Sequence, residues 1–132
     1  MIDIYTRKNQ TIAVLGLGGS GLMAARALKQ SGVQIIAWYD NPDQRARAEN
    51  EGILTSDLAT HDLSAIDALV LAPGIPLTHK PHKLITRAQE AAVCVIGDIE
   101  LLVEACPQAR FVGITGTNGK STTTALLGHL LQ

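Results

Sequence analysis

Two short stretches of this chain combine glycine, lysine and hydroxyl residues at spacings that can hold phosphate. The segment Gly113-Ile114-Thr115-Gly116-Thr117-Asn118-Gly119-Lys120-Ser121 follows the pattern GxxxxGK with a hydroxyl residue next. Successive backbone N–H groups in such a turn form a concave anion site. The Lys120 ammonium would offset β- and γ-phosphate charge, and the Ser121 hydroxyl would ligate Mg²⁺. A lysine and a hydroxyl side by side behind a glycine is a demanding combination, and it predicts nucleoside triphosphate binding. The other stretch, Gly16-Leu17-Gly18-Gly19-Ser20-Gly21, fits GxGxxG. Gly16 permits a tight turn, Gly18 removes a side chain that would block a phosphate, and Gly21 lets a helix approach a strand closely. Asp40 closes the next apolar run, where an acid accepts hydrogen bonds from a ribose or a base.

The pair of loops is more informative than either alone. A nicotinamide-dinucleotide module uses the first and has no role for Lys120 and Ser121. A plain ATPase uses only the second. An enzyme that joins a nucleotide-linked substrate to another molecule, driven by ATP, uses both. An NAD(P)-binding module and a non-catalytic nucleotide-binding domain remain the alternatives.

These loops need strands and helices to hold them. Thr11–Leu15, Gln34–Tyr39, Asp67–Ala72 and Val93–Ile96 are short apolar runs, and Arg110–Thr115 reads as a further strand. Helices are predicted after the Gly16–Gly21 loop as far as Ser31-Gly32, over 42–51, over 81–92, from Ile99 to Ala105, and from near Gly119 to the last residue. Pro42 suits a first helical turn, and Gly97-Asp98 suits a turn and cap. The alternation predicts an α/β fold: a Rossmann-like parallel sheet with flanking helices, then the first strand, phosphate loop and helix of a P-loop ATPase domain. Ligands in such sheets bind at the carboxyl ends of the strands. No cap or returning strand follows the last helix, so the second unit is expected to be only begun. Leu126, Leu127, Leu130 and Leu131 would then stay wet, and the region after about Gly113 is expected to be mobile or to self-associate through this helix.

Composition excludes several classes. Of the 132 residues, 46% are hydrophobic, enough for a core, and eleven Lys and Arg face twelve Asp and Glu. That balance predicts no nucleic-acid partner. No apolar run approaches the roughly 20 residues of a membrane span. The first residues lack the order of a signal peptide. The two cysteines, Cys94 and Cys106, have no metal-ligand spacing and read as small buried hydrophobes. A cytoplasmic protein is expected. His79, Lys80, His82, Lys83 and Arg87 form a basic stretch that reads as a solvated face or as a group leaning toward substrate phosphates. Glu100 and Glu104 read as a solvated helix face, and Trp38 as a packing residue.

Gly116-Thr117-Asn118-Gly119-Lys120-Ser121-Thr122 resembles the ATP loop of the Mur ligases, which add amino acids to the peptidoglycan precursor. The first glycine loop, then Ala72-Pro73-Gly74-Ile75-Pro76, then Gly97-Asp98-Ile99-Glu100-Leu101, stand in the order seen in the member that adds D-glutamate to UDP-N-acetylmuramoyl-L-alanine. Asn118 stands where the alanine-adding member usually has His, and Ser121 where folylpolyglutamate synthetases usually have Gly.

The resemblance implies a UDP-substrate domain over residues 1–97 and the opening of an ATP-binding domain over 98–132. It implies that Gly18, Gly19 and Ser20 meet the diphosphate, Asp40 and Asn41 the uracil, and that Ala72, Pro73 and Gly74 close the pocket. ATP would lie on Gly116, Thr117, Asn118, Gly119, Lys120, Ser121 and Thr122, with Lys120 catalytic and Mg²⁺ on Ser121. In that family the substrate carboxylate takes the γ-phosphoryl group to give an acyl phosphate, and D-glutamate displaces the phosphate. Two departures stand out: Ala72 where serine is common, and Pro42 where an arginine is common. The chain by itself is expected to be inactive, because other metal ligands and the D-glutamate site belong to further domains.

Overall fold

Strands buried on both faces read as continuous apolar runs, and Ile12-Ala13-Val14-Leu15 is buried throughout. The computed structural model describes residues 2–132. β1 (Thr11–Leu15) lies at the centre of a five-stranded sheet with β2 (Gln34–Trp38), β3 (Leu54–Thr55), β4 (Ala68–Leu71) and β5 (Cys94–Gly97). The order is β3-β2-β1-β4-β5, and every pairing is parallel. The chain runs outward from β1 to β3 and then crosses back to β4 and β5. That reversal leaves a crevice at the carboxyl ends of β1 and β4. Leu15 is in register with both Trp38 and Leu71, so the loops beginning at Gly16, Tyr39 and Ala72 leave three neighbouring strands at one level.

The pleat divides the core in two. Ile12, Val14, Ile35, Ala37, Ala68, Val70 and Ile96 face one side, where Leu22, Ala25 and Leu28 of α1 (Gly19–Gln30) and Leu101 of α4 (Asp98–Ala105) cover them. Ala13, Leu15, Leu69 and Leu71 face the other side, against Leu84, Ile85 and Ala88 of α3 (Lys83–Glu90). α2 (Pro42–Asn50) contributes Ala48 to the first side.

The predicted α/β class and four of the predicted strands are present. The strand expected over Arg110–Thr115 is not: residues 106–119 form neither helix nor strand. A strand is held by the partner it pairs with, and this segment has none among the described residues. The fifth strand is instead the two-residue β3, too short to leave a periodic signal. α3 is shorter than the stretch 81–92, because His82 Nδ1 accepts from Leu84 N–H at 3.2 Å and caps it. The cysteines are not buried: Cys94 is exposed at the edge strand and Cys106 is half-buried. Glu100 and Glu104 are not simply solvated. Glu100 accepts from the Gly97 N–H, and Glu104 receives two hydrogen bonds from Arg7, at 2.5 and 2.8 Å. α5 (Lys120–Leu130) buries none of its residues, and Leu126, Leu130 and Leu131 are 58–73% exposed.

Candidate functional site: two phosphate loops and the strand ends

The first loop is built by close approach. Gly16 has φ +95°, a conformation that favours glycine, and its N–H donates to Trp38 O at 2.8 Å. A methyl on Gly16 would lie 2.8 Å from Ala72 Cβ, and one on Gly21 would lie 1.9 Å from Gly16 O. Glycine at both positions is therefore required for α1 to start directly over the end of β1. Around Gly18 and Gly19 the space is open. Gly18 precedes α1 and has no side chain to cap it, so the first-turn N–H groups have no side-chain acceptor there. Such a turn carries partial positive charge and favours an anion. Gly19 and Ser20, its first two residues, are exposed.

Two cavities border this loop, and a third, which none of its residues line, lies beyond the end of β2. Gly18 and Gly19 line one of about 230 Å³ with Leu22, Arg26, Gln44 and Arg47. Gln44 Oε1 is buried there without a hydrogen-bond partner. Arg26 forms a two-point pair with Glu51, which holds the Glu51 carboxyl below its ordinary value and raises the guanidinium. Gly19 and Ser20 also border an apolar cavity of about 520 Å³ with Met23, Ile99 and Leu102.

Asp40 lines the third, of about 710 Å³, with Trp38, Asp57, His82, Lys83 and Arg87. It is exposed, and its carboxylate joins none of the ion pairs among the described residues. The adjacent Asn41 is the cap of α2: its Oδ1 accepts from Asp43 N–H at 3.0 Å and from Gln44 N–H at 3.4 Å. That oxygen is engaged by its own helix, which leaves the amide NH₂ for a ligand. Ala72 is buried behind Gly16, whereas Pro73 and Gly74 are exposed at a turn where Gly74 has φ +92°.

Of the basic stretch, His82 caps α3, and Arg87 donates to the carbonyls of Leu58, Ala59 and His61, tying down that loop. A residue that the sequence reading passes over is Arg45. Its guanidinium donates to Tyr39 O at 2.6 Å and Asp40 O at 3.0 Å, and stacks over the Trp38 ring 4.5 Å from its centroid. Side chains on a helix lean toward its N-terminus, so an arginine on the first turn after Asp40 was the available signal.

The second loop is exposed over Thr115–Leu126. Gly116 and Gly119 have φ +146° and +78°, and Gly119 precedes α5 without a side-chain cap. Lys120 Nζ folds back on Gly116 O at 2.6 Å. The lysine thus already lies over the loop, and Ser121 and Thr122 sit on the first turn beside it. This donor set, uncapped amides with one ammonium and adjacent hydroxyls, fits a triphosphate with its metal.

Residues 2–93 match the family described as "D-isomer specific 2-hydroxyacid dehydrogenase, NAD binding domain". A solved structure, shikimate dehydrogenase from Aquifex aeolicus, superposes with a TM-score of 0.57 at 15% identity, over 75% of this chain and 46% of that one. At that identity the likeness shows the fold alone. Among curated proteins, the UDP-N-acetylmuramoylalanine–D-glutamate ligases of Agrobacterium fabrum strain C58 and Brucella abortus strain 2308 are 52% and 50% identical to this chain. The match covers 100% of this chain and 29% of each of those proteins, so the chain spans under a third of their length. Residues 2–93 therefore belong to the family described as the NAD binding domain of D-isomer specific 2-hydroxyacid dehydrogenases, and the chain along its entire length is similar to part of the UDP-N-acetylmuramoylalanine–D-glutamate ligases.

Proposed function

We propose that this chain is the UDP-substrate-binding region and the opening of the ATP-binding domain of an ATP-dependent ligase. The full protein would add D-glutamate to UDP-N-acetylmuramoyl-L-alanine in peptidoglycan precursor synthesis. Residues 1–97 form the substrate unit and 98–132 the start of the ATP unit, with α4 the part of the second segment that packs on the first. Gly18, Gly19 and Ser20 take the diphosphate on the first turn of α1. Asp40 and the Asn41 amide take the uracil, and Ala72, Pro73 and Gly74 bound the crevice opposite. Gly116 to Thr122 take ATP, with Lys120 on the transferring phosphoryl group and Ser121 on Mg²⁺.

Bound ATP with Mg²⁺ supplies the phosphoryl group that activates the substrate carboxylate. The chain's own residues bind and orient: backbone amides of both loops hold anions in place, and Lys120 leaves Gly116 O to meet a phosphate oxygen. The observation that carries this reading is the second loop. The dehydrogenase match ends at residue 93, before Lys120 and Ser121, whereas the ligase match includes them. An NAD(P) module has no use for that pair. The chain alone is inactive in this account, with weak self-association through the exposed leucines of α5, and it works in the cytoplasm.

The test is double occupancy. Ligand-observed NMR should show UDP and ATP·Mg²⁺ binding the same chain without competing. Mutual displacement of the two ligands would contradict the two-loop assignment.

A further inference from the structure

We infer that Arg45 is a positioning residue for base recognition, holding Asp40 so that its carboxylate faces the bound nucleobase. The inference rests on the reading of Asp40 as a uracil contact. Beyond Trp38 the chain leaves the sheet, so the carbonyls of Tyr39 and Asp40 lose the partners a strand would give them. Arg45 supplies both, at 2.6 and 3.0 Å, through a single nitrogen, Nη1. Its guanidinium is itself fixed from the side by the Trp38 ring, 4.5 Å away, a cation–π contact on the last residue of β2. The backbone N–H of Arg45 donates to Asn41 O at 3.2 Å, so the residue that clasps the loop is anchored in the first turn of the helix that follows it.

The clasp grips main chain only. Arg45 forms no ion pair with the Asp40 carboxylate among the described residues, so that group is oriented yet left free in the cavity it shares with Trp38, His82 and Lys83. A fixed, acceptor-only carboxylate suits an imide N–H, the group that uracil presents at N3. A lysine could not reproduce the arrangement, because it lacks the planar group that stacks on the indole while donating to two carbonyls.

The experiment is isothermal titration of the 132-residue chain and of Arg45→Ala and Asp40→Ala with UDP, N3-methyl-UDP and pyrophosphate, with thermal melting of each variant. The parent should prefer UDP to N3-methyl-UDP by about 3- to 10-fold, the range expected for one hydrogen bond. Arg45→Ala should remove that preference as Asp40→Ala does, while its binding of N3-methyl-UDP and pyrophosphate stays within about twofold of the parent. Equal weakening for all three ligands would make Arg45 merely structural, and an unchanged preference would make it irrelevant; either overturns the inference while leaving the uracil reading intact. A parent that binds UDP and N3-methyl-UDP alike refutes the uracil reading itself, and the inference with it. If Arg45→Ala fails to fold, Arg45→Lys is titrated in its place, and a retained preference there overturns the inference.

Discussion

Gly21 and Gly16 lie so close that a methyl on Gly21 would be 1.9 Å from the Gly16 carbonyl oxygen. The obstacle is backbone, which cannot rotate away as a side chain can. Gly21→Ala is therefore expected to destabilise the fold by at least ~1–3 kcal/mol, the usual range for overpacking. Gly18, in extended backbone with open space around it, should accept alanine without loss of stability and with weaker UDP binding, since its methyl would enter the phosphate approach. Urea melts and UDP titration of both variants check this. A Gly21→Ala protein as stable as the parent would show that α1 can move off β1.

Arg7 and Glu104 join the N-terminal turn to α4 through two hydrogen bonds. Glu104 raises the guanidinium of Arg7, chiefly through that hydrogen bonding. Arg7→Ala should loosen α4 at a cost of about 1 kcal/mol, the upper end for an ion pair at a protein surface, since this one is half-buried. Hydrogen exchange should then accelerate in α4 and stay unchanged in β1. Exchange in α4 at the parental rate would mean that the packing of Leu101 and Ala105 holds the helix without the Arg7 pair.

Arg26 holds the Glu51 carboxyl below its ordinary value of 4.5, first by hydrogen bonding and then by charge. A lowered folded-state value contributes stability that is present above the unfolded value and lost as pH falls through the folded one. The parent should therefore lose more thermal stability than Glu51→Gln on acidification from pH 4.5 downward. Parallel melting profiles for the two proteins would mean that the pair contributes nothing.

Lys120 Nζ lies on Gly116 O at 2.6 Å and exchanges this neutral acceptor for a charged one when triphosphate binds. Lys120→Ala should weaken ATP·Mg²⁺ by about tenfold or more, as expected for a hydrogen bond to a charged group, and leave UDP binding unaltered. A common effect on both ligands would show that the loops are coupled.

The sheet was legible in the sequence because its strands are continuous apolar runs closed by glycine or proline, as Thr11–Leu15 and Asp67–Ala72 are. The glycine loops were legible because backbone conformation and close approach demand glycine at Gly16 and Gly21. β3 was hidden because two residues carry no period. Arg110–Thr115 was misread because its β-forming composition cannot supply the pairing partner that a strand needs. The double use of Asn41, helix cap and candidate ligand group, follows from its position before Pro42 only once α2 is placed. The Arg45 clasp depends on the direction in which a helical side chain leans, which no motif records.

The central claim is that the Gly16–Gly21 loop serves a uridine nucleotide although its fold is that of NAD-binding domains. The measurement that tests it most directly is titration of this chain with UDP and with NAD under identical buffer and salt. The account predicts measurable UDP binding, tighter than NAD and weakened by Asp40→Ala. NAD binding equal to or tighter than UDP would contradict it.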